Sequence, residues 1–211
     1  MFDVHCHILP NVDDGSESFE MSAAMLKEAW NCGIDHIVCT PHCRWDNFSR
    51  ELVEAQFDRL CEYADELDMQ LTLGYEVYWK KLSEMGADWA PTLTFEGTNL
   101  MLYELSTGSL PPNWQSRIFE LQGMGLQLII AHPERYMPIQ KDLDVAYEMK
   151  EAGCLLQLSA NFVDGGFRDK RKKTAIELLK QGLVDYIASD AHRPEDYLDY
   201  REAIDLAQKY V

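Results

Sequence analysis

Short runs of apolar, often β-branched residues recur along the chain, and helical patterns separate most of them. A run that is apolar at nearly every position is typical of a strand covered on both faces. Seven such runs predict strands, at residues 2–5, 36–40, 70–77, 99–105, 126–131, 154–159 and 185–189.

The helical patterns begin at residues that favour helix caps. Ser16 or Ser18 is placed to cap a helix that runs to about residue 32, and Gly33 is placed to stop it. Ser49 is placed to cap the next helix, whose apolar residues keep helical spacing. Further helices are predicted at 113–123, 143–152, 170–181 and 195–210, whereas 78–98, rich in Trp, Gly and Pro, predicts a loop with one helical turn.

Alternation of strands and helices over the whole length predicts an α/β fold with a mainly parallel sheet and right-handed crossovers. The pattern alone leaves open whether that sheet closes into a barrel or stays open and doubly wound. The sequence has no G-x-G-x-x-G after the first strand, no Walker motif, no internal repeat and no Pro/Ser-rich linker. We therefore expect one domain over residues 1–211.

Composition supports a globular protein rather than a disordered or membrane-spanning one. The 211 residues are 46% hydrophobic and 11% aromatic. No apolar run approaches the roughly 20 residues that span a bilayer. The start of the sequence lacks the basic residues and apolar stretch of a signal peptide. We therefore expect a cytoplasmic protein without membrane insertion.

The formal net charge of −17 argues against nucleic acid as a partner. One basic cluster, RDKRKK at 168–173, opens a predicted helix. It is interpreted as a solvated helix face, and the alternative is that it guides an acidic partner.

The six cysteines form no C-x-x-C pair, so we expect free thiols. None is followed six positions later by an arginine. The phosphate loop of cysteine-dependent tyrosine phosphatases is therefore absent from the sequence.

Metal-ligand residues recur where the predicted strands end. Side chains in a strand alternate between its faces, so His5 and His7 point the same way. The carboxyl ends of parallel barrel strands converge on the face that carries the chemistry of such folds. The complete strand-end set is His5, His7, Asp14, His42, Glu76, Glu104, His132, Asp190 and His192.

Imidazole and carboxylate ligands suit Mn, Fe or Zn better than Mg or Ca. Nine ligands are too many for one tetrahedral ion, and they suit two or three ions with bridging carboxylates. Unpaired carboxylates in one cleft would repel one another strongly. Three divalent ions would instead outweigh the negative charge of the carboxylates. The remaining positive charge matches a phosphate dianion.

The motifs H-x-H…D-D-G, T-P-H, A-H-P-E-R-Y and S-D-A-H, with a glutamate after the third strand, resemble the PHP (polymerase and histidinol phosphatase) superfamily. Within it, the chain is most similar to the metal-dependent, capsule-type protein-tyrosine phosphatases of bacteria. The resemblance extends from His5 to His192. It implies a distorted (β/α)7 TIM-like barrel and phosphotyrosine substrates on a bacterial tyrosine kinase that controls exopolysaccharide export.

The resemblance also implies a trinuclear centre. One ion would be held by His5, His7, Glu76 and Asp190. A second would be held by Glu76, Glu104 and His132, and the third by Asp14, His42 and His192. The chain departs from the family in placing Arg193 directly after His192 and in stopping at Val211, where relatives usually continue.

The expected reaction is hydrolysis of a phosphate monoester by water that the metal ions activate. Arg135 and Arg44 are candidates for forked hydrogen bonds to phosphate oxygens, with Arg193 as a third candidate. The tyrosinate leaving group has a parent pKa near 10, so a general acid is less critical, and His192 or metal-bound water can serve as one.

Three alternatives remain at this point. The same site can act on histidinol phosphate or another small phosphoester. A nuclease of the superfamily is a second alternative, disfavoured by the net charge. A metal-stabilised docking module without catalysis is the third.

Overall fold

Within residues 1–210, which the computed structural model describes, nine strands form two sheets in which every pairing is parallel. The first sheet has the order β1-β2-β4 and the second the order β3-β5-β6-β7-β8-β9. The α/β class with parallel sheets is therefore confirmed. The strands are β1 (Phe2–Cys6), β2 (His36–Cys39), β3 (His42–Cys43), β4 (Gln70–Leu73), β5 (Glu76–Tyr78), β6 (Leu100–Glu104), β7 (Gln127–Ala131), β8 (Leu155–Ser159) and β9 (Tyr186–Ala188).

The second and third predicted strands are each divided in two. The second stops before Pro41, which has no N–H to donate to a ladder, and β3 follows it. The third is interrupted at Gly74, where a Cβ would lie 2.5 Å from the Phe95 ring. Hydrogen bonds still cross both breaks, from Gly74 N to Cys39 O at 2.9 Å and from Glu76 N to Pro41 O at 3.1 Å. Each break therefore shifts a strand from one sheet to the other.

Eight helices connect the strands of the described region. Ser18 caps the first and Ser49 the second, each through a side-chain oxygen that accepts a backbone N–H. Asp169 caps the helix that contains most of the basic cluster. The helices are α1 (Phe19–Asn31), α2 (Arg50–Asp65), α3 (Trp79–Met85), α4 (Trp114–Gly123), α5 (Met137–Lys141), α6 (Asp144–Glu151), α7 (Lys170–Lys180) and α8 (Asp196–Ala207).

Two helical segments differ from the sequence expectation. The predicted loop at 78–98 contains α3 and a short 3-10 helix, Ala87–Thr92. Helix α5 was not predicted. Neither α3 nor α5 has a capping side chain at its N-terminus, and α5 spans only five residues. Both therefore lack the cap and the long periodicity on which sequence prediction depends.

A layer of apolar side chains lies beneath the carboxyl ends of the strands. Val4, Val38, Leu102, Ile129 and Ala188 come from five different strands and pack into one buried cluster with Phe95 and Ala131. Leu102 is two residues before Glu104 on β6, so the two share a face of the strand. The layer therefore gives the polar residues above it a rigid support.

The first and last strands meet at their carboxyl ends. The N–H of Asp190 donates to His5 O at 2.8 Å, and the N–H of His7 donates to Ala191 O at 2.9 Å. These bonds bring the two ends of the predicted ligand set, separated by most of the chain, onto neighbouring backbone segments.

Candidate metal centre

His5 and His7 form the centre of the site. Both side chains are fully buried, and their Nε2 atoms lie 3.1 Å apart. His7 Nδ1 lies 2.8 Å from Asp13 Oδ2, and His5 Nδ1 lies 2.8 Å from Gln157 Oε1. Both oxygens only accept, so each Nδ1 carries the proton and each neutral ring keeps a lone pair on Nε2. The two lone pairs face each other, an arrangement that requires a cation nearby.

Two carboxylates complete this cluster. Glu76 Oε2 lies 3.4 Å from both histidine Nε2 atoms, and Asp190 Oδ1 lies at the same distance from both. Burial opposes the charge of these acids, but nearby cationic groups outweigh it. Arg135 and His5 hold the pKa of Asp190 well below its usual value, and His42 and His5 do the same for Glu76. His5, His7 and Asp190 therefore offer ligand atoms that all lie within 4.8 Å of one another, and Glu76 contacts both histidines.

The pKa of His7 shows how strongly this cluster favours positive charge. Burial alone would lower that pKa, yet the carboxylates of Asp13, Asp190 and Glu76 raise it well above its ordinary value. Without another cation, the cluster binds protons.

His42 joins this cluster to a more exposed one. Its Nδ1 lies 2.8 Å from Glu76 Oε2, but neither buried atom has a hydrogen-bond partner of good geometry among residues 1–210. Its Nε2 lies 3.4 Å from Asp14 Oδ1, and His192 Nε2 lies 3.7 Å from the same oxygen. His7, Asp14, His42 and His192 each offer a ligand atom within 4.8 Å of the others.

Glu104 and His132 lie on the other side of Glu76. His42, Glu76 and Glu104 form a third group with ligand atoms within 4.8 Å. His132 Nε2 lies 2.7 Å from Glu76 Oε1, while its buried Nδ1 has no partner in the described region. Burial first and Glu76 second raise the pKa of Glu104 to about 7.

His132 and Asp190 adopt strained backbone conformations. Their φ angles are +37° and +51°, in the left-handed region that residues other than glycine rarely occupy. Such strain persists only where the surrounding structure imposes it, and it is common at functional sites. In both cases the strain accompanies a side chain directed toward the cluster.

The three candidate arginines differ in position. Arg135 Nη2 donates to Asp190 Oδ2, and Arg44 Nη1 donates to both oxygens of Glu104, at 2.9 and 3.1 Å. Both arginines thus contact carboxylates of the cluster. Arg193 is exposed, and in the described region its guanidinium makes no hydrogen bond or ion pair. Only its backbone N–H is bonded, to Asp196 at 2.9 Å.

An open cleft borders the cluster. A cavity of about 300 Å³ is lined by Arg44, Glu104, His132, Arg135 and neighbouring residues, among them Ser106 and Thr107. A second cavity of about 240 Å³, which Trp45 lines, shares Arg44 and Tyr78 with it. Arg44 packs on the Tyr78 ring, 4.4 Å from its centroid, and Trp45 lies edge-on to His42 at 5.0 Å. The cleft therefore has charged donors at one end and aromatic walls at the other.

The fold brings all nine predicted ligand residues into this one region. Eight of them belong to the three overlapping groups. His132 contacts the groups through Glu76. His42 belongs to two groups, one with Glu76 and Glu104 and the other with Asp14 and His192, so the grouping differs in detail from the sets that the resemblance implies.

Sequence reasoning missed several supporting residues. Gln157 and Ser159 lie on β8, a strand that contributes none of the nine predicted ligands, and they bond to His5 and to Asp190, both at 2.8 Å. A glutamine in an otherwise apolar strand is the signal that identifies such a residue. Glu134 is fully buried, and neither of its carboxylate oxygens accepts a hydrogen bond within the described region, although Oε1 forms a 3.8 Å ion pair with Arg135 Nε. Burial raises the pKa of Glu134 to about 7.

No helix of the described region is both long and apolar enough to cross a membrane.

Known proteins resemble this chain over nearly its whole length. CapC of Staphylococcus aureus, named a putative tyrosine-protein phosphatase, is 31% identical over 199 residues, covering 91% of this chain and 77% of that protein. The tyrosine-protein phosphatase CpsB of Streptococcus pneumoniae is 30% identical over 223 residues, covering 100% and 91%.

A comparison with solved structures identifies the same group of proteins. One comes from work on YwqE of Bacillus subtilis and CpsB of Streptococcus pneumoniae, which are described there as unique metal-dependent tyrosine phosphatases. Its TM-score to this chain is 0.84 at 26% sequence identity, and the match covers 99% of this chain and 86% of that one. An amidohydrolase from Mycoplasma synoviae, with a TM-score of 0.62 at 14% identity, covers 99% and 81% and shares the fold alone.

The family model for capsular polysaccharide synthesis, CpsB/CapC, matches residues 1–204. The chain therefore belongs to the CpsB/CapC family, which confirms the resemblance found in the sequence.

Proposed function

We propose that this protein is a metal-dependent tyrosine-protein phosphatase. The observation that carries the proposal is the pair of facing Nε2 lone pairs on His5 and His7, surrounded by Glu76 and Asp190. Relatives that cover most of the chain bear the names of tyrosine-protein phosphatases, and this supports the choice of reaction.

His5, His7, Glu76 and Asp190 would hold one divalent ion. Glu76 and Glu104 would hold a second with His132 or His42, and Asp14, His42 and His192 would hold a third. The buried atoms without partners, on Glu76, His42 and His132, fit such ligand roles. The mixture of imidazole and carboxylate supports two to three Mn, Fe or Zn ions, with Mn as our first choice.

Bound ions of this kind lower the pKa of water, orient a phosphoryl group and neutralise its charge. The chain's own residues would position the substrate around them. Arg135 Nε makes no hydrogen bond in the described region and forms only a long ion pair with Glu134 Oε1, at 3.8 Å, so it would keep a donor for a phosphate oxygen while Nη2 holds Asp190. Arg44 holds Glu104 at the same cleft and would serve as the second phosphate donor.

His192 would deliver a proton to the departing oxygen only where it does not hold the third ion, because its Nδ1 contacts Asp190 O and a metal-bound Nε2 has no proton to give. Its side chain is about 30% exposed, so it reaches both the cluster and solvent. The walls formed by Tyr78 and Trp45 would accept the phenyl ring of phosphotyrosine next to the phosphate end of the cleft. Arg193 remains a third arginine candidate, but its exposure favours the other two.

We further infer that the two sheets form one distorted (β/α)7 barrel in a single domain spanning residues 1–211. The pairing order around the sheets and the hydrogen bonds between the ends of β1 and β9 support that closure. In this arrangement the ligand residues occupy the carboxyl-end face, where parallel barrels place their chemistry. The substrate would be a cytoplasmic bacterial tyrosine kinase that controls exopolysaccharide synthesis, dephosphorylated on its tyrosines.

The test is a comparison of substrates on metal-loaded protein. We expect hydrolysis of p-nitrophenyl phosphate that EDTA abolishes, and a higher kcat/KM for a phosphotyrosine peptide than for histidinol phosphate or single-stranded DNA. Preference for histidinol phosphate would instead assign a small-molecule phosphatase. Absence of hydrolysis with the metals bound would leave a docking module.

A further inference from the structure

The basic cluster of the sequence is not explained by the metal centre. Five of the 19 Lys and Arg residues lie between residues 168 and 173, in a chain of net charge −17. Two of the five have structural partners: Arg171 pairs with Asp169 at 3.2 Å, and Lys172 Nζ donates to Val163 O at 2.7 Å. Arg168, Lys170 and Lys173 form no ion pair within residues 1–210.

Phe167 adjoins these free cations and is 94% exposed, the most exposed of the large apolar side chains in the described region. Lys173 Nζ lies 5.7 Å from the centroid of its ring. Burial of a phenylalanine stabilises a protein relative to exposure, so nothing in folding favours this position. We name Phe167, Arg168, Lys170 and Lys173 the basic-aromatic surface.

The loop that carries Phe167 has a defined shape. It folds back tightly against the start of α7, since a Cβ on Gly165 would lie only 2.8 Å from Asp169 Cβ. Asp169 in turn accepts the N–H groups of Arg171 and Lys172 as the helix cap. The exposed ring is therefore presented on an anchored loop.

The basic-aromatic surface lies on the side of the molecule that carries the metal centre. Strand β8 ends at Ser159, whose hydroxyl donates to Asp190, and the 3-10 helix Ala160–Asp164 leads from there into the loop. Helix α7 packs against the 3-10 helix Pro133–Arg135, which contains Arg135. A polypeptide bound in the cleft by its phosphotyrosine would have this surface on the same side of the molecule.

We propose that the basic-aromatic surface binds an acidic segment of the substrate protein, at a distance along the chain from the phosphotyrosine, and packs Phe167 against an apolar side chain there. The inference rests on the proposed function, because the cleft and the surface act on one polypeptide. Charge complementarity favours a polypeptide over an anionic membrane or nucleic acid. The rest of a chain whose net charge is −17 repels the extended negative charge of a membrane or a nucleic acid, whereas a short acidic segment can contact the three free cations alone.

The experiment uses two phosphotyrosine peptides that are identical around the phosphotyrosine. The first peptide continues through a Gly-Ser spacer into an Asp/Glu-rich segment that contains one leucine. The second continues into Gly-Ser sequence of the same total length. Several spacer lengths are compared. For the wild-type protein at low salt we expect about a tenfold higher kcat/KM for the acidic peptide, mainly through KM. The preference should fall as salt screens the charges.

The variant Arg168→Ala/Lys170→Ala/Lys173→Ala should lose most of this preference and keep its activity on p-nitrophenyl phosphate. Phe167→Ala should lose part of it. The matched control is Lys27→Ala/Arg201→Ala/Lys209→Ala, which also removes one arginine and two lysines from exposed positions. It should retain the preference.

Anisotropy of a fluorescent acidic peptide without phosphate tests the surface independently of catalysis. If the protein hydrolyses no phosphate ester but binds this peptide through the basic-aromatic surface, the proposed function fails and the surface stands. Equal kcat/KM for the two peptides, or equal loss in the control variant, overturns the inference. So does variant-sensitive binding to phosphatidylglycerol vesicles without any preference for the acidic peptide.

Discussion

The Nε2 atoms of His5 and His7 lie 3.1 Å apart, each on a ring whose other nitrogen is engaged by an acceptor. Two such lone pairs are stable at this distance only if positive charge lies between them or one ring binds a proton. The surrounding carboxylates of Glu76 and Asp190 increase that demand. Protons and divalent ions should therefore compete for the same point.

This competition predicts how the chelated protein responds to pH. Between about pH 5 and 8, the melting temperature in EDTA should fall as pH rises. Glu104, with a pKa raised to about 7 mainly by burial, keeps a proton that the unfolded chain releases near 4.5, so the folded state loses relative stability across this range.

His7 acts in the same direction. Its raised pKa contributes stability that is complete below the unfolded value near 6.5 and is lost as pH rises through the folded pKa. The lowered pKa values of Glu76 and Asp190 add nothing across this window, because both acids are ionised in either state. Thermal melts in EDTA and in excess Mn²⁺ check this, since the metal-induced gain should increase with pH. A melting temperature that rises with pH in EDTA would contradict the claim that protons and divalent ions compete for the same point.

The proposed bridging role of Glu76 predicts a large kinetic effect. Glu76→Gln removes charge from two ions, so kcat should fall by at least about 100-fold, roughly 2.7 kcal/mol in the barrier. Activity within about threefold of wild type, ~0.7 kcal/mol, would show that Glu76 is not a ligand. Glu134→Gln is the control for metal content, because Glu134 is also a fully buried acid near the cleft but belongs to none of the three ligand groups. It should keep its full metal content.

Arg135 separates phosphate recognition from metal binding. Arg135→Ala should reduce kcat/KM by one to three decades, roughly 1.4–4 kcal/mol, because a charge-assisted donor to the phosphate is lost. Metal content should not change, since Ser159 still bonds to Asp190 at 2.8 Å. Arg135→Lys should recover only part of the activity, because an ammonium cannot reproduce the guanidinium fork. Unaltered kinetics in Arg135→Ala would transfer the role to Arg44.

The cysteines should be irrelevant to activity. Five of the six are buried, and Cys61 is partly buried. Burial raises the pKa of Cys43, Cys61 and Cys154 to about 12, so these thiols are protonated and weakly nucleophilic at neutral pH. Iodoacetamide should leave hydrolysis intact under conditions where EDTA abolishes it. Inactivation by iodoacetamide with the metals retained would contradict a mechanism without thiols.

Much of this structure was predictable from strand ends. The buried strands are apolar at nearly every position, so a histidine or acid at the end of such a run is conspicuous, as His132 after β7 shows. Because the strands run parallel, their carboxyl ends then lie together on one face of the fold. The caps at Ser18 and Ser49 were predictable because their side-chain oxygens act locally.

Other features depend on contacts that no local pattern records. The break at Gly74 is explained by the Phe95 ring, which comes from a different segment of the chain. Gln157 bonds to His5 across 152 positions, and Arg44 reaches Glu104 across 60. The sequence showed arginines near the site, but it did not show that two of them are bound to the cluster's own carboxylates.

The most direct test of the account is the metal content of the protein purified without chelators, measured by elemental analysis alongside the protein concentration. The three overlapping groups of His, Asp and Glu predict two to three Mn, Fe or Zn ions per chain. A fully folded, unchelated sample that holds no more than one ion per chain would contradict the proposed metal centre.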